Sequence, residues 1–220
     1  MGRFGEIAFT PSVKAMQARM GSRAAYARTE AGTQSRDAIG DDEREFLEAR
    51  DSFYMATVGE GGWPYIQHRG GPKGIVRVLG PHTIGFADFR GNRQYVSVGN
   101  LATDDRVALI FVDYPNKARL KVLARARVIT AADDAETLGK LVPHDYRASI
   151  ERGIVLEVEG FDWNCPQHII PRYTEDEIAE ATRPLRDRLA ALEAENAALR
   201  AGRHVVVLSD RSDAPDGARR

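Results

Sequence analysis

The chain has 220 residues, 43% of them hydrophobic, and its 31 Lys and Arg against 32 Asp and Glu leave a formal net charge of −1. A chain of this length buries one good core with an appended element, and its near-neutral balance excludes a general electrostatic attraction to nucleic acid or an anionic membrane. The single Cys excludes an internal disulfide, no apolar run approaches the roughly 18 residues that cross a bilayer, and the opening MGRFGEIAFTPS lacks the apolar stretch of a signal peptide, so a soluble cytoplasmic protein is expected.

Thr10 followed by Pro11 reads as a helix start, a capping hydroxyl and then a residue whose missing N–H costs nothing in the first turn. A helix over 11–20 places Val13, Met16 and Met20 on one face. Gly32 to Gly40 is polar and reads as a loop, and Asp41 is placed to cap a short helix that carries Phe46 and Leu47 inward. From Ser52 the period becomes strand-like. Segments 52–58, 63–68, 74–79, 83–88, 106–113, 119–130 and 153–162 are rich in Val, Ile, Tyr, Phe and Thr, and Gly, Pro and Asn turns separate them. Mostly tight connections predict an antiparallel barrel, since closure removes exposed edges. Two helices interrupt the run: 92–102, with Tyr95, Val98 and Leu101 at helical spacing and Asn92 as its cap, and about 131–142, crossing between the last long strands.

The C-terminal stretch is of another kind. Ile178, Leu185, Leu192 and Leu199 fall seven apart, with Leu189 and Asn196 at the intervening core positions, a heptad seam with Leu at d and one Asn at a. Such a seam reads either as an intersubunit coiled coil, parallel and two-stranded, or as a solvated helix packed on its own barrel. Pro184 is expected to bend or restart the helix. The chain therefore divides into an N-terminal helical segment packing on the barrel (1–50), the barrel (51–174), the heptad helix (175–202) and a largely disordered tail (203–220).

The chemistry concentrates between Arg69 and Asn100. Gly70, Gly71 and Gly74 let backbone approach a ligand closely, and Arg69, Lys73 and Arg93 supply the positive charge a phosphate requires. A helix starting at Asn92 would aim its free N–H groups at that phosphate, with Arg93 and Gln94 adding donors in the first turn. The plainer reading makes the glycines a hairpin turn and the cations surface charges. His68 reads as a structural donor at a strand end, and Cys165, His168 and the distant His144 are too few for a zinc site, so no metal is expected. Cys165 reads as a buried, unreactive thiol, and Asp113 and Tyr114 shape a turn before Pro115.

QHRGGPKG at 67–74, FADFRGNRQYVSVGNL at 86–101, DYPN at 113–116 and NCPQHIIPRY at 164–173 together resemble the pyridoxamine 5′-phosphate oxidase-like, FMN-binding split-barrel family, and most nearly its subgroup of oxidase-related flavin-nucleotide-binding proteins. The resemblance implies a mainly β fold, a six- or seven-stranded antiparallel split barrel with peripheral helices, and a homodimer with FMN at the subunit interface. It implies that Arg69 and the Gly70–Gly71 turn, with Lys73, contact the flavin's phosphate and ring. Asn92, Arg93 and Gln94 take the place of the family's phosphate-binding Ser-Arg-Lys, and Phe86, Ala87, Asp88 and Phe89 pass along the ribityl chain and ring. Arg119 or Lys121 would lie near N1 and the C2 carbonyl, while Trp163, Asn164, Gln167, His168 and Arg172 would reach the cleft from the partner subunit.

The departures matter equally. Gly-Gly-Pro stands where the oxidase separates its first Arg and Lys by apolar residues, and its C-terminal Arg-Leu-x-Pro ending has no counterpart. Flavin binding is therefore implied more firmly than pyridoxamine phosphate oxidation. The expected function is an FMN-dependent oxidoreductase passing hydride through flavin N5 between NAD(P)H or another small reductant and a small organic substrate, with no catalytic side chain demanded. The alternatives are a flavin-binding module without turnover, and a deazaflavin-dependent reductase or haem-handling protein on the same barrel. The compact GNRQ turn favours FMN over the longer deazaflavin.

Overall fold

The computed structural model describes residues 2–30, 35–143, 146–163 and 167–209. They fall in two compact units, Met1–Pro171 and Arg172–Arg220. The first carries helices α1 (Gly2–Ala8), α2 (Pro11–Arg19), α3 (Arg23–Glu30) and α4 (Asp41–Glu48), then strands β1 (Ser52–Val58), β2 (Pro64–Gly70), β3 (Val76–Gly80) and β4 (Thr83–Phe89). Helix α5 (Val96–Leu101), strands β5 (Arg106–Asp113) and β6 (Ala118–Ile129), helix α6 (Ala131–Leu141) and strand β7 (Ile150–Trp163) complete it.

The seven strands form one antiparallel sheet in the order β2-β1-β5-β6-β7-β4-β3. Alternation decides which side faces in. Phe53 and Met55 of β1, Val107, Leu109 and Phe111 of β5, and Leu120, Val122 and Ala124 of β6 are buried together, while their chain neighbours face outward. Phe53 holds the centre, edge-on to Phe86 and stacked on Phe111, each at 5.0 Å between ring centroids. The sheet curls without closing by backbone bonds, for no ladder joins edge strands β2 and β3 among the described residues. The barrel is thus split, as the resemblance implied. Side chains bridge it: Arg69 of β2 pairs with Asp88 of β4, which is not a hydrogen-bonded neighbour in the sheet.

Helices seal the rest. Leu47 of α4, 1% exposed, belongs to the main core, and Leu141 of α6 packs where Gly85 and Gly153 lack side chains, since a Cβ at either glycine would stand 2.9 Å from it. Phe4 of α1 lies on β7 at Gly160, where an added Cβ would come within 2.4 Å of the Phe4 backbone nitrogen. Thr10 caps α2 by accepting from the Val13 N–H at 3.4 Å, and Thr130 caps α6 with Asp133 closing the box.

Three local expectations change. Helix α4 is capped by Gly40, whose N–H donates to Glu43 Oε2 at 3.0 Å, and Asp41 stands in the first turn. The apolar residues of α2 face solvent, Met20 being 73% exposed, and only Gln17 is buried. Helix α5 begins at Val96 instead of Asn92. The Asn92 side chain accepts from the Gln94 N–H at 3.2 Å and closes an Asx turn, and Arg93 and Tyr95 hold positive φ of 63° and 54°, which no helix accommodates.

The second unit is helix α7 (Glu175–Ser209), which runs through Pro184 as a single element. A restart at that proline is not seen, and the helix passes the end expected at 202. Strong helix formers on both sides, mostly Ala, Leu, Glu and Arg, compensate for the one backbone bond that Pro184 cannot make. Cys165 and His144 lie outside the described residues. No helix among those described is long and apolar enough to cross a membrane.

Candidate functional site

Strand β2 turns Tyr65, Gln67 and Arg69 to one side by its period of two, and all three are half-buried. They form one wall of a cleft of about 240 Å³. The end of β4 (Asp88, Phe89), the loop 91–95 and the start of α5 (Val96, Ser97) form the other, with Glu151 of β7 at the rim. A smaller hollow of about 140 Å³ adjoins it, sharing Gln67, Arg69 and Phe89 and adding Gly70, Ile75, Phe86 and Ala87.

The charges of the cleft are already arranged in pairs. Asp88, 6% exposed, accepts from Arg69 Nη1 and lies 3.4 Å from Arg152 Nε, which has no hydrogen-bond geometry toward it. Arg152 also binds Glu151, and its guanidinium lies 4.9 Å from the Tyr95 ring centroid. Tyr95 accepts from Arg93 Nε at 3.3 Å and donates to Glu151 Oε1 at 3.2 Å. Burial pushes the Glu151 carboxyl up, but hydrogen bonds from Arg152 and Tyr95 and the charges of Arg152 and Arg90 outweigh it and hold the group below the usual carboxylate range. Arg69 Nε is buried without a hydrogen-bond partner, a donor left free in the cleft wall. Ser97, 2% exposed, donates to Gln67 Oε1 at 3.0 Å and ties α5 to β2.

Of the residues singled out in the sequence, Arg69, Asp88, Phe89, Asn92, Arg93 and Gln94 meet in the larger cleft, and Gly70, Phe86 and Ala87 in the smaller. Phe86 and Ala87 are core residues at 1% and 2% exposure, so they present little surface to a ligand. Gly71 packs closely, a Cβ there meeting Ile75 at 2.9 Å and Phe89 at 3.0 Å, and Lys73 is exposed on the following turn and lines neither hollow. Lys121 is paired with Asp162 at 2.8 Å beneath the Phe4 ring, and Arg119 sits two residues away on the same outer face of β6. Trp163 packs edge-on against Phe46 at 4.6 Å and donates to Glu43 Oε1 at 2.8 Å, lining a separate open cleft with Arg50 and Asp113. Gln167 and His168 are exposed in a turn, Arg172 begins the second unit, and Asn164 lies outside the described residues. No cluster of three metal-ligating side chains occurs among the described residues.

The phosphate contact expected at a helix N-terminus is not available, because α5 has only six residues and starts beyond the Asx turn. What remains is the loop 92–94 with the Arg93 guanidinium. Glu151, Tyr65 and Gln67 were missing from the sequence reading. The period of β2 gave a signal for Tyr65 and Gln67, which alternate with Arg69, but Glu151 needs the β4–β7 register, in which Asp88 faces Arg152.

A family model described as pyridoxamine 5′-phosphate oxidase matches residues 39–160, more than half of the 220. The chain belongs to that family. Its matched segment runs from the residue before Gly40 to Gly160 and so contains both hollows. No curated protein matches the chain. Solved structures similar to this member of the family include a candidate pyridoxamine 5′-phosphate oxidase from Lactobacillus delbrueckii, 20% identical, covering 57% of this chain and 94% of that one with a TM-score of 0.45. An F420 reductase is 18% identical over 56% of this chain and 98% of its own, at a TM-score of 0.39. The FAD binding protein from Mycobacterium smegmatis is 12% identical over 58% and 95%, also at 0.39.

Tested against a flavin nucleotide, the family's ligand, the donor set fits at the phosphate end: Asn92, Arg93 and Gln94 line one cleft together with Arg69. Its volume falls short of the roughly 300–1,000 Å³ typical of cofactor sites, so a ring system needs walls beyond this cleft.

Proposed function

We propose that this chain binds FMN and acts as an FMN-dependent oxidoreductase on a small organic substrate in the cytoplasm, as a homodimer with the flavin between two copies. The observation that carries the reading is the convergence of Arg69, Asn92, Arg93 and Gln94 on one cleft inside the segment that matches the family. In this reading Arg93, Asn92 and Gln94 hold the phosphate, while Arg69 and the Gly70–Gly71 turn meet the polar edge of the ring. Bound FMN supplies hydride transfer at N5. The protein orients the ring, excludes water and fixes charge around it.

A second copy is part of the reading because the cleft is too small alone and because the outer face of the sheet beside it is apolar. Ile66 and Tyr54 are 64% and 40% exposed there, with Ala56, Ala108 and Leu123 in the row of Ile66, and Ile110 between His68 and Lys121 in the row of Tyr54. Trp163, Asn164, Gln167, His168 and Arg172 would then complete the cleft from the other protomer, and Lys73 with Arg119 or Lys121 would border the ring. The test is the absorbance of the purified protein and the mass of the cofactor it releases, followed by anaerobic reduction with NADPH or NADH and reoxidation by candidate acceptors. Yellow protein that releases FMN and turns over supports the proposal. Inert bound flavin makes it a binding module, release of a deazaflavin makes it a reductase of that class, and colourless protein that takes up no added flavin refutes both flavin readings.

A further inference from the structure

Helix α7 carries an apolar stripe with nothing against it in its own unit: Leu185 is 72% exposed, Leu189 57%, Leu192 44% and Leu199 64%. These residues fall at a and d of successive heptads, and Asn196 fills the remaining a position. Pro184 falls at c, away from the seam, so it does not interrupt the stripe. A monomeric helix has no physical reason to hold this repeat on a solvated surface.

The flanking charges specify the partner. With Leu185 at d, Arg188 and Glu195 occupy g, and Glu193 and Arg200 occupy e. Two copies laid side by side in parallel bring each g residue to the e residue five positions on in the other copy, pairing Arg188 with Glu193 and Glu195 with Arg200, all of opposite sign. An antiparallel alignment also finds opposite charges, Arg188 facing Glu195 and Glu193 facing Arg186. Asn196 separates the two. In parallel register the two Asn196 amides face and satisfy each other, whereas antiparallel packing sets each amide against Leu185 of the other copy, with no partner for its donors and acceptor.

We propose that α7 pairs with α7 of a second copy of this chain, in parallel and in register, through Leu185, Leu189, Leu192, Asn196 and Leu199. Two heptads make a weak zipper, so the pairing adds to other contacts between copies and does not act alone. It is independent of any flavin.

The test uses the full-length protein carrying Cys165→Ser, with one new cysteine at Leu199 (a d position) or at Ala194 (an outward f position). Under mild oxidation Leu199→Cys is expected to give mostly covalent dimer and Ala194→Cys little. Antiparallel pairing would hold the two position-199 side chains roughly 25 Å apart and prevent the bond. Adding Arg188→Glu should slow cross-linking at 199 several-fold, and adding Glu193→Arg as well should restore it, because only the parallel register puts these two positions together. Absence of cross-linking at 199, equal yields at 199 and 194, or failure of the double charge swap to recover would each overturn the proposal.

Discussion

Removing Asp88 should destabilise the protein more than removing Arg69, although the two form one ion pair. Their side chains are 8% and 13% exposed, so solvent screens little of the interaction, and stripping one partner from such a pair costs about 3–5 kcal/mol. The penalty depends on what is left behind. Arg69→Ala leaves Asp88 with Arg152 Nε at 3.4 Å, a partner able to turn toward it, which points to the lower figure. Asp88→Ala strands Arg69 in the split between β2 and β4, where its Nε already lacks a partner, and leaves Arg152 only Glu151, which points to the upper one. For a chain of this size about 3 kcal/mol lowers Tm by roughly 6–12 °C. Urea unfolding of the flavin-free proteins, with the double variant included, measures the coupling. Equal losses from the two single variants, or a double variant equal to their sum, would show that the pair does not hold the split together.

Arg93→Ala should weaken FMN binding at least about tenfold while leaving the unfolding midpoint of the flavin-free protein nearly unchanged, since among the described residues the exposed Arg93 side chain hydrogen-bonds Tyr95 in its own loop; fluorescence titration with FMN checks this. Asp113 supplies a pH dependence. Burial would raise its pKa, but hydrogen bonds from the Asn116 N–H and amide and the Arg50 guanidinium at 2.7 Å together lower it below 3.8. Its contribution is present above that unfolded value and disappears as pH falls through the lowered one, so Asp113→Asn should flatten the acid limb of stability below about pH 4 in urea melts across pH. Gly160→Ala should lift α1 from β7, because the new methyl would stand 2.4 Å from backbone that cannot yield. Losing the Phe4 contact costs about 1.5–3 kcal/mol, and limited proteolysis should then cut near the N-terminus while the sheet survives.

The strands were legible because alternation and turn residues are local: 52–58 and 106–113 are read to the residue, and the others within a few. Helix α1 escaped notice since two glycines in GRFGEIA depress its propensity and its stability comes from docking Phe4 on a strand over 150 residues away. The α5 boundary failed for a different reason. Asn92 was read as a helix cap, yet the same side chain serves equally well in an Asx turn, and nothing local announces that Tyr95 adopts a left-handed conformation. At the cleft, spacing revealed the cations but not their counterions. Asp88 meets Arg69 only because the two free edges of the sheet curl toward each other, and Glu151 joins only through the register of β7 on β4.

That pairing bears on how an anion arrives. Arg69 and Arg152 face Asp88 and Glu151, but Arg90 also lies 3.9 Å from Glu151 and Arg93 in the same cleft bonds to Tyr95 instead of a carboxylate, so cations outnumber carboxylates at the mouth. A phosphate would be drawn toward Arg93, whose hydrogen bond goes to Tyr95, and need not displace a carboxylate, while the paired Arg69 and Arg152 keep the wall in shape. Capture should then slow as added salt screens that excess, and discrimination among anions would rest on the donor geometry of the loop 92–94.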